Sequence, residues 1–343
     1  MKNKSLLIIT QTVDQNDSNL GFFCDWVREF AVRLDKVYVI ANKVGEYNLP
    51  ENVEVLSLGK ELGKGRMGKV IKLWQYLLKY LPKVDGVFAH MCPEYVVAGG
   101  WLARVYGKKL GLWYLHKSLT WKLRLSEKLV NYIFTAHQDG LPIKSNKVIV
   151  TGHAIAGVGY SSIVPIEKLD ILKILTVGRV SESKNLLILV KSAILLAQKS
   201  SKQVKLTVVG ESYLDKDREY FNILQEYVEK HNAKNMVEFV GKVPHDNISS
   251  YYKQADVFVN ASQTGGLDKA VLEAMLMGVP VVTSNQAFIN ILPKECLFAE
   301  DDLNELVEKI LNYENINTDE LKKYVEENHS TNKTIAKIIE KLL

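Results

Sequence analysis

The chain has 343 residues, of which 47% are hydrophobic and 24% charged, and a formal net charge of +5. That length accommodates two domains with cores of ordinary size, and the composition is that of a soluble globular protein. Cys24, Cys92 and Cys296 lie far apart without CxxC spacing, which excludes a disulfide framework or a zinc motif and suits a reducing cytoplasm.

The N-terminal "MKNKSLLIIT" is too short an apolar stretch for a signal peptide, and no run reaches the roughly 20 apolar residues that span a bilayer. "SLLIIT" is the first predicted strand. It leads into a loop holding Gly21 and then the helical pattern "DWVREFAVRL". "KVYVIA", "VEVLSL", "GVFAH" ending in His90, "LGLWYLH" ending in His116, "YIFTA" and "KVIVTG" are the strands that follow. Residues 159–170, "GYSSIVPIEKLD", lack periodicity and are the expected linker. The second half runs through the strands "LKILTVG", "KLTVVG", "VEFVG", "VFVNAS" and "VPVVTS", with helical patterns between them, and ends on the apolar-periodic "TNKTIAKIIEKLL". Apolar strands alternating with helices predict parallel sheets covered on both faces. The expected fold class is α/β, with two Rossmann-like doubly wound domains over 1–165 and 166–325. The last helix, 326–343, is expected to pack back on the first domain. Ligands of such sheets sit at the carboxyl ends of strands, so two facing domains would enclose a cleft there.

Charge divides unevenly. Residues 1–160 carry 22 Lys+Arg against 13 Asp+Glu, and the remainder carries 22 against 26. The basic half includes Lys60, Lys64, Arg66, Lys69, Lys72, Lys79 and Lys83 around Trp74, Tyr76 and Tyr80, then Lys117, Lys122 and Arg124 around Trp121. Cations mixed with aromatics suit either an anionic membrane surface or an ordinary solvated helix face. No nucleic-acid motif accompanies them. "GKGRMGKV" at 63–70 satisfies GxGxxG, but Val70 stands where a P-loop needs Ser or Thr, and a dinucleotide fingerprint belongs in the first βα turn. "DKD" at 215–217 opens a helical pattern within a charged run and is expected to be solvated. No carboxylate pair at glycosidase spacing is evident.

The most informative stretch is "TGGLDKAVLEAMLMGVPVVTS", residues 264–284. A strand, a loop with Gly265 and Gly266, and a helix ended by Gly278 and Pro280 follow one another. Ala270, Val271, Ala274 and Gly278 form one narrow face, Leu272 and Leu276 lie opposite, and Glu273 is therefore expected to be buried or half-buried. A buried carboxylate needs donors, either two vicinal hydroxyls of a ribose or a Lys or Arg.

This stretch resembles the signature of the family-four retaining glycosyltransferases of GT-B fold (glycosyl transferases group 1), Ser-x-x-Glu-Gly-Phe-Gly-Leu-x-x-Leu-Glu-Ala-Met. Ser262, Gly266, Leu272, Glu273, Ala274, Met275, Gly278 and Pro280 match it. "LTVGRVSESKN", "LTVVGE" and "VEFVGKVPHDNISSYYKQADVFVNAS" match the family's preceding segments in order, and "LWYLHKS" and "KVIVTGHAI" carry a weaker likeness in the first half. The resemblance implies transfer of a hexose-type sugar from a nucleotide diphosphate sugar to a glycan or lipid-linked hydroxyl, with retention. It implies no cofactor or metal. The cysteine usage and the basic, aromatic stretches, and not the resemblance, give the expectation of a cytoplasmic protein that can sit peripherally on the inner membrane face. Glu273 would hold ribose hydroxyls, Arg179 and Lys184 the diphosphate, Gly241 and Val243 the base, and Gly265, Gly266, Leu267 and Asp268 the rest of the donor. Gly21 would face the diphosphate from the first domain. His116 would be the active-site histidine, with His90 second. The family's first glutamate is Gly265 here, so Asp268 either takes over the contact to the donor sugar or caps the helix. A nucleotide-sugar epimerase and a non-catalytic nucleotide-sugar-binding protein are the alternatives.

Overall fold

Runs of Val, Ile and Leu with β-branched side chains at alternate positions form strands, and the longer amphipathic patterns between them form helices. The computed structural model describes residues 4–17, 20–116, 118–155, 170–263 and 265–343. The expected linker therefore lies, apart from Asp170, outside the described residues. The chain divides into two units, Met1–Ala156 with Glu327–Leu343, and Gly157–Glu326.

Among the described residues, unit 1 is built on β1 (Ser5–Val13), β2 (Lys36–Val44), β3 (Val53–Ser57), β4 (Gly86–His90), β5 (Lys109–Trp113), β6 (Tyr132–Thr135) and β7 (Val148–Val150). They form one sheet in the order β3-β2-β1-β4-β5-β6-β7. Every adjacent pair is parallel, as helical crossovers require. Its helices are α1 (Phe23–Arg33), α2 (Arg66–Tyr80), α3 (Pro93–Val105) and α4 (Trp121–Leu129). Strand alternation sorts the core into two layers. Leu7, Ile9, Val87 and Leu112 face Leu73, Leu77, Leu102 and Leu123 of α2, α3 and α4. Leu6, Ile8, Val39 and Phe88 face Trp26 and Phe30 of α1 together with Ile335, Ile338 and Leu342.

Those last three residues belong to the chain's final helix, which lies across unit 1 after the chain returns from unit 2. Residues 151–155 hold it: Thr334 Oγ1 donates to Thr151 O at 2.6 Å, Ile155 N to His329 O at 2.7 Å, and Trp26 Nε1 to Ala154 O at 3.2 Å. Gly152, at φ +84°, fits here because a Cβ would overlap the Asn328 carbonyl.

Unit 2 carries β8 (Ile171–Val177), β9 (Gln203–Val209), β10 (Val237–Gly241), β11 (Val257–Asn260) and β12 (Val281–Thr283) in the order β10-β9-β8-β11-β12. All of its pairs are parallel too. Its helices are α5 (Leu186–Lys199), α6 (Asp215–Lys230), α7 (His245–Gln254), α8 (Lys269–Leu276), α9 (Leu303–Leu311) and α10 (Thr318–Asn328), and the chain closes with α11 (Thr331–Leu342) on unit 1. The order reverses beside β8, so the loops after β8 and β11 flank the topological switch point of unit 2.

Candidate functional site

Three neighbouring strands of unit 2 end on the same dipeptide. Val177-Gly178, Val209-Gly210 and Val240-Gly241 close β8, β9 and β10, with φ of +151°, +140° and +79° at the glycines. Their backbones interlock: Gly178 N donates to Val209 O at 2.9 Å and Gly210 N to Gly241 O at 2.9 Å. A Cβ on Gly210 would run into the Gly178 carbonyl, whereas Gly241 faces open space. This floor carries the segment 179–185 out of the sheet.

Lys184 lies on that segment with its side chain across Gly178, whose added Cβ would come within 3.6 Å of Lys184 Cε. Its ammonium donates to Asp268 Oδ1 at 2.7 Å and lies 3.4 Å from Ser262 Oγ. Both partners of the ion pair are largely enclosed, at 18% and 17% side-chain exposure. Asp268 Oδ2 accepts from Asn260 Nδ2 at 3.1 Å and stands 3.5 Å from Asn285 Nδ2, which also donates to Gly266 O at 2.8 Å. Asn260 Oδ1 in turn accepts from Thr283 Oγ1 at 3.1 Å. The polar residues ending β11 and β12 thus lock the start of α8 to Lys184.

Asp268 occupies the N-cap position of α8 with extended backbone, yet its side chain makes no capping hydrogen bond. Of the two roles open to it in the sequence, capping is corrected: both carboxylate oxygens are turned to Lys184, Asn260 and Asn285. Gly265 has φ +61°, a conformation suited to glycine, while Gly266 has open space at its Cβ position. Leu267 is buried at 8% exposure.

Helix α8 is buried from Val271 to Leu276, and Glu273 is 9% exposed. Among the described residues its hydrogen-bond donor is a tyrosine and not a Lys or Arg. Tyr252 of α7 places its hydroxyl 3.0 Å from Glu273 Oε2 and 3.1 Å from Ala270 O, and its single proton serves one of them at a time. The sequence drew no attention to Tyr252, although it lies in the segment matched to the family.

Arg179 is half-exposed, and its Nε is 4.0 Å from Asp217 Oδ2. That contact corrects the solvated reading of "DKD". Asp215 is exposed, but Asp217 is buried at 2%, and its Oδ2 accepts from Leu214 N at 3.3 Å at the start of α6. Val243 is half-buried just beyond β10.

The candidates of unit 1 separate. His90 ends β4 and is fully buried, stacked on Phe23 at 4.1 Å and beside Trp113 at 5.4 Å, with Nδ1 3.5 Å from Thr10 Oγ1. It is a core histidine, which corrects its place among the site candidates. His116 lies three residues beyond β5, which ends at Trp113, and it is exposed. Its Nδ1 accepts from Ser118 N at 3.0 Å, which places the ring proton of the neutral form on Nε2. Gly21 is buried in the turn before α1, where a Cβ would stand 2.7 Å from Asp17 O and 2.8 Å from Gln15 O. Backbone crowding alone accounts for that glycine. Of the 63–70 stretch, residues 63–65 are exposed loop and 66–70 open α2, and Gly63, Gly65 and Gly68 all have open space at their Cβ positions.

Residues 172–315 match the family model "Glycosyl transferases group 1". Among curated relatives, alpha-monoglucosyldiacylglycerol synthase of Streptococcus pneumoniae is 31% identical over 126 residues, 36% of this chain and 27% of the relative. Amylovoran biosynthesis glycosyltransferase AmsK of Erwinia amylovora is 29% identical over 124 residues, 34% of this chain and 29% of that protein. The match thus spans less than a third of each relative's length. Among solved structures, Anabaena Alr3699/HepE in complex with UDP superposes with a TM-score of 0.75 at 16% identity, over 98% of this chain and 99% of the other. The α/β class and the GT-B fold expected from the sequence are borne out.

Proposed function

We propose that this chain, whose residues 172–315 are a group 1 glycosyltransferase domain within a GT-B fold, moves a hexose-type sugar with retention from a nucleoside diphosphate sugar to a hydroxyl of a glycan or lipid-linked acceptor. The observation that carries this reading is the cluster at the carboxyl ends of β8, β11 and β12, where Lys184, Asp268 and the start of α8 meet over a glycine floor. Glu273 lies on the same helix and presents a buried carboxylate to the vicinal hydroxyls of a pentose. An ammonium has three N–H donors, and Asp268 and Ser262 engage two of those on Lys184. The third serves the diphosphate, together with the half-exposed guanidinium of Arg179 and the backbone around Gly178. Gly241 and Val243 border the base, and Gly265, Gly266 and Leu267 follow the phosphates.

In the reaction the bond between the anomeric carbon and the phosphate oxygen breaks with its electron pair on the diphosphate. The acceptor oxygen bonds to that carbon on the same face, and the acceptor proton passes to the departing phosphate. Charge grows on the diphosphate, so a preorganised cation pair lowers the barrier without a metal ion. His116 donates from Nε2 toward the reacting sugar, and Asp268 replaces the absent acid at position 265 in gripping its hydroxyls. The enzyme works on the cytoplasmic side, peripheral to an anionic membrane surface.

A thermal-shift screen of nucleoside diphosphates and their sugars tests the reading. A cognate ligand at 100 times its Kd stabilises by about 2.7 kcal/mol, and one base and sugar should stand out. Donor turnover that requires acceptor then separates a transferase from a binder, and recovery of an altered sugar nucleotide would identify an epimerase. No response to any nucleotide would overturn the proposal.

A further inference from the structure

The outer surface of α2, α3 and α4 is apolar where a water-facing helix layer should be polar. Along α2, Met67, Ile71, Trp74 and Leu78 recur at i, i+4, i+7 and i+11 and are 75%, 48%, 41% and 52% exposed. They form a second apolar stripe, apart from the Leu73, Leu77 and Tyr80 face that packs on the sheet. Trp101 and Val105 continue it on α3, and Trp121 and Leu125 on α4, all exposed. The three helices lie side by side: Trp74 Nε1 donates to Ala98 O at 2.7 Å, and Arg104 Nε to Leu129 O at 2.9 Å. Of the 19 large apolar side chains exposed among the described residues, 11 fall between Leu62 and Leu125, so the patch is a concentration and not ordinary scatter.

Charge identifies the occupant. No Asp or Glu occurs from Leu62 to Val84 or from Tyr95 to Ser126, while those stretches supply Lys64, Arg66, Lys69, Lys72, Arg104 and Lys122 among their cations. The acids on or beside the layer are Glu61 before α2, Glu94 in the first turn of α3 and Glu127 on α4. Beside α4 a groove of about 520 Å³ is lined by Leu119, Trp121, Leu125 and Ile143, with Arg124 and Lys128 among its walls. An apolar stripe carrying three tryptophans and rimmed by an excess of cations over acids matches the boundary between acyl chains and anionic headgroups. No described helix is long and apolar enough to cross a membrane, so contact is from one side.

We propose that the face formed by α2, α3 and α4 docks on an anionic phospholipid bilayer, with Met67, Ile71, Leu78 and Leu125 inserted below the headgroups and Trp74, Trp101 and Trp121 at their level. This deepens the peripheral placement proposed above, and it rests on the surface of unit 1 and not on the donor chemistry.

The test is flotation of the full chain with vesicles of phosphatidylcholine alone and of phosphatidylcholine with about one-third phosphatidylglycerol. The chain should float with the anionic vesicles, and brominated lipid should quench its tryptophan emission, since Trp26 and Trp113 are buried. The pair Ile71→Ser and Leu78→Ser, and separately Trp121→Ser, should cut the bound fraction about tenfold even at low salt. Lys122→Ser with Arg124→Ser should weaken binding most at low salt and make little difference at high salt, where screening already removes their attraction. These positions are exposed, so melting temperatures should hold, and the nucleotide thermal shift on the same preparations checks the donor reading separately. The proposal is overturned if the parent chain stays below both vesicle types, or if the serine variants float as it does. It is equally overturned if sedimentation without lipid shows a dimer that those variants dissociate, which would make a second copy the occupant.

Discussion

Lys184 and Asp268 stand 2.7 Å apart, so a diphosphate arriving at this ammonium meets a carboxylate already in place. Asp268 therefore opposes the phosphates electrostatically while holding the cation that binds them. Asp268→Asn keeps an oxygen toward Lys184 and removes the charge. Nucleoside diphosphate should then bind tighter, by about 1 kcal/mol at a partly screened site. The extra affinity of the sugar nucleotide over the diphosphate should shrink, because the grip on sugar hydroxyls is lost. Calorimetric titration of both ligands reads the ratio, and an unchanged ratio would exclude Asp268 from the sugar contact. Glu273 invites a parallel comparison. With the Tyr252 hydroxyl donating at 3.0 Å to Oε2, its carboxylate keeps acceptor capacity for a pentose. Glu273→Gln should weaken nucleoside diphosphate by about 1.5–3 kcal/mol and leave inorganic pyrophosphate unaffected. Equal losses for both would mean that Glu273 supports the helix and not the ribose. The sequence pattern pointed to Glu273 because a carboxylate stood alone in an apolar helix. It was silent on Tyr252, since a tyrosine 21 residues away becomes a partner only once α7 and α8 pack together.

At the scale of elements, the repeated Val-Gly at the ends of β8, β9 and β10 was visible in the sequence, but its reason was not. Gly210 is required because the Gly178 carbonyl fills the space of its Cβ, a contact between strands that no local pattern encodes. Gly210→Ala should cost at least about 2 kcal/mol and impair nucleotide binding through the displaced 178–184 segment, whereas Gly266→Ala, with open space, should cost far less. Stability curves for the two variants distinguish them, and equal losses would deny the interlock. His90 marks the opposite limit. Strand-end position suggested a site residue, and only packing against Phe23 and Trp113 reveals a core side chain. The return of the chain into α11 carries its own titration. His329 is buried beside His153 and His137, and burial first, then the charge of His137, lower its pKa from 6.5 to about 4. Its Nδ1 accepts from His153 N at 3.2 Å, which needs the neutral ring. The unfolded chain binds the proton between those values, so this contribution is complete above pH 6.5 and fades as pH falls toward 4. It amounts to about 3 kcal/mol. Denaturant midpoints at pH 7.5 and 4.5 should converge more for His329→Asn, which retains an acceptor, than for the parent chain. An equal pH dependence in both would rule the histidine out.

For the whole molecule, the two sheets were legible because buried parallel strands are nearly continuous apolar runs, and the family signature fell on the loops that those strands position. Glycine patterns were less trustworthy guides. Gly21 and the 63–70 stretch each resemble phosphate-binding elements on paper, yet the first is filled by its own backbone and most of the second is the opening turn of α2. Charge also sets the two halves apart, with 22 basic and 26 acidic side chains beyond residue 160. A diphosphate bound there gains little from the long-range field and depends on donors within the first few ångströms, where local hydrogen bonds dominate. Backbone hydrogen exchange across the full chain exposes that locality. Nucleoside diphosphate should protect the peptides holding Gly178–Lys184, Gly210 and Gly266–Glu273, because ordering of these segments suppresses their local opening. Peptides across 63–70 should exchange unchanged, and binding should lose only a few-fold in affinity when salt rises, whereas vesicle binding by unit 1 should fall steeply. Protection centred on 63–70, with none at Gly178–Lys184, would transfer the nucleotide to the glycine loop of unit 1 and remove the basis for a donor site on β8, β11 and α8.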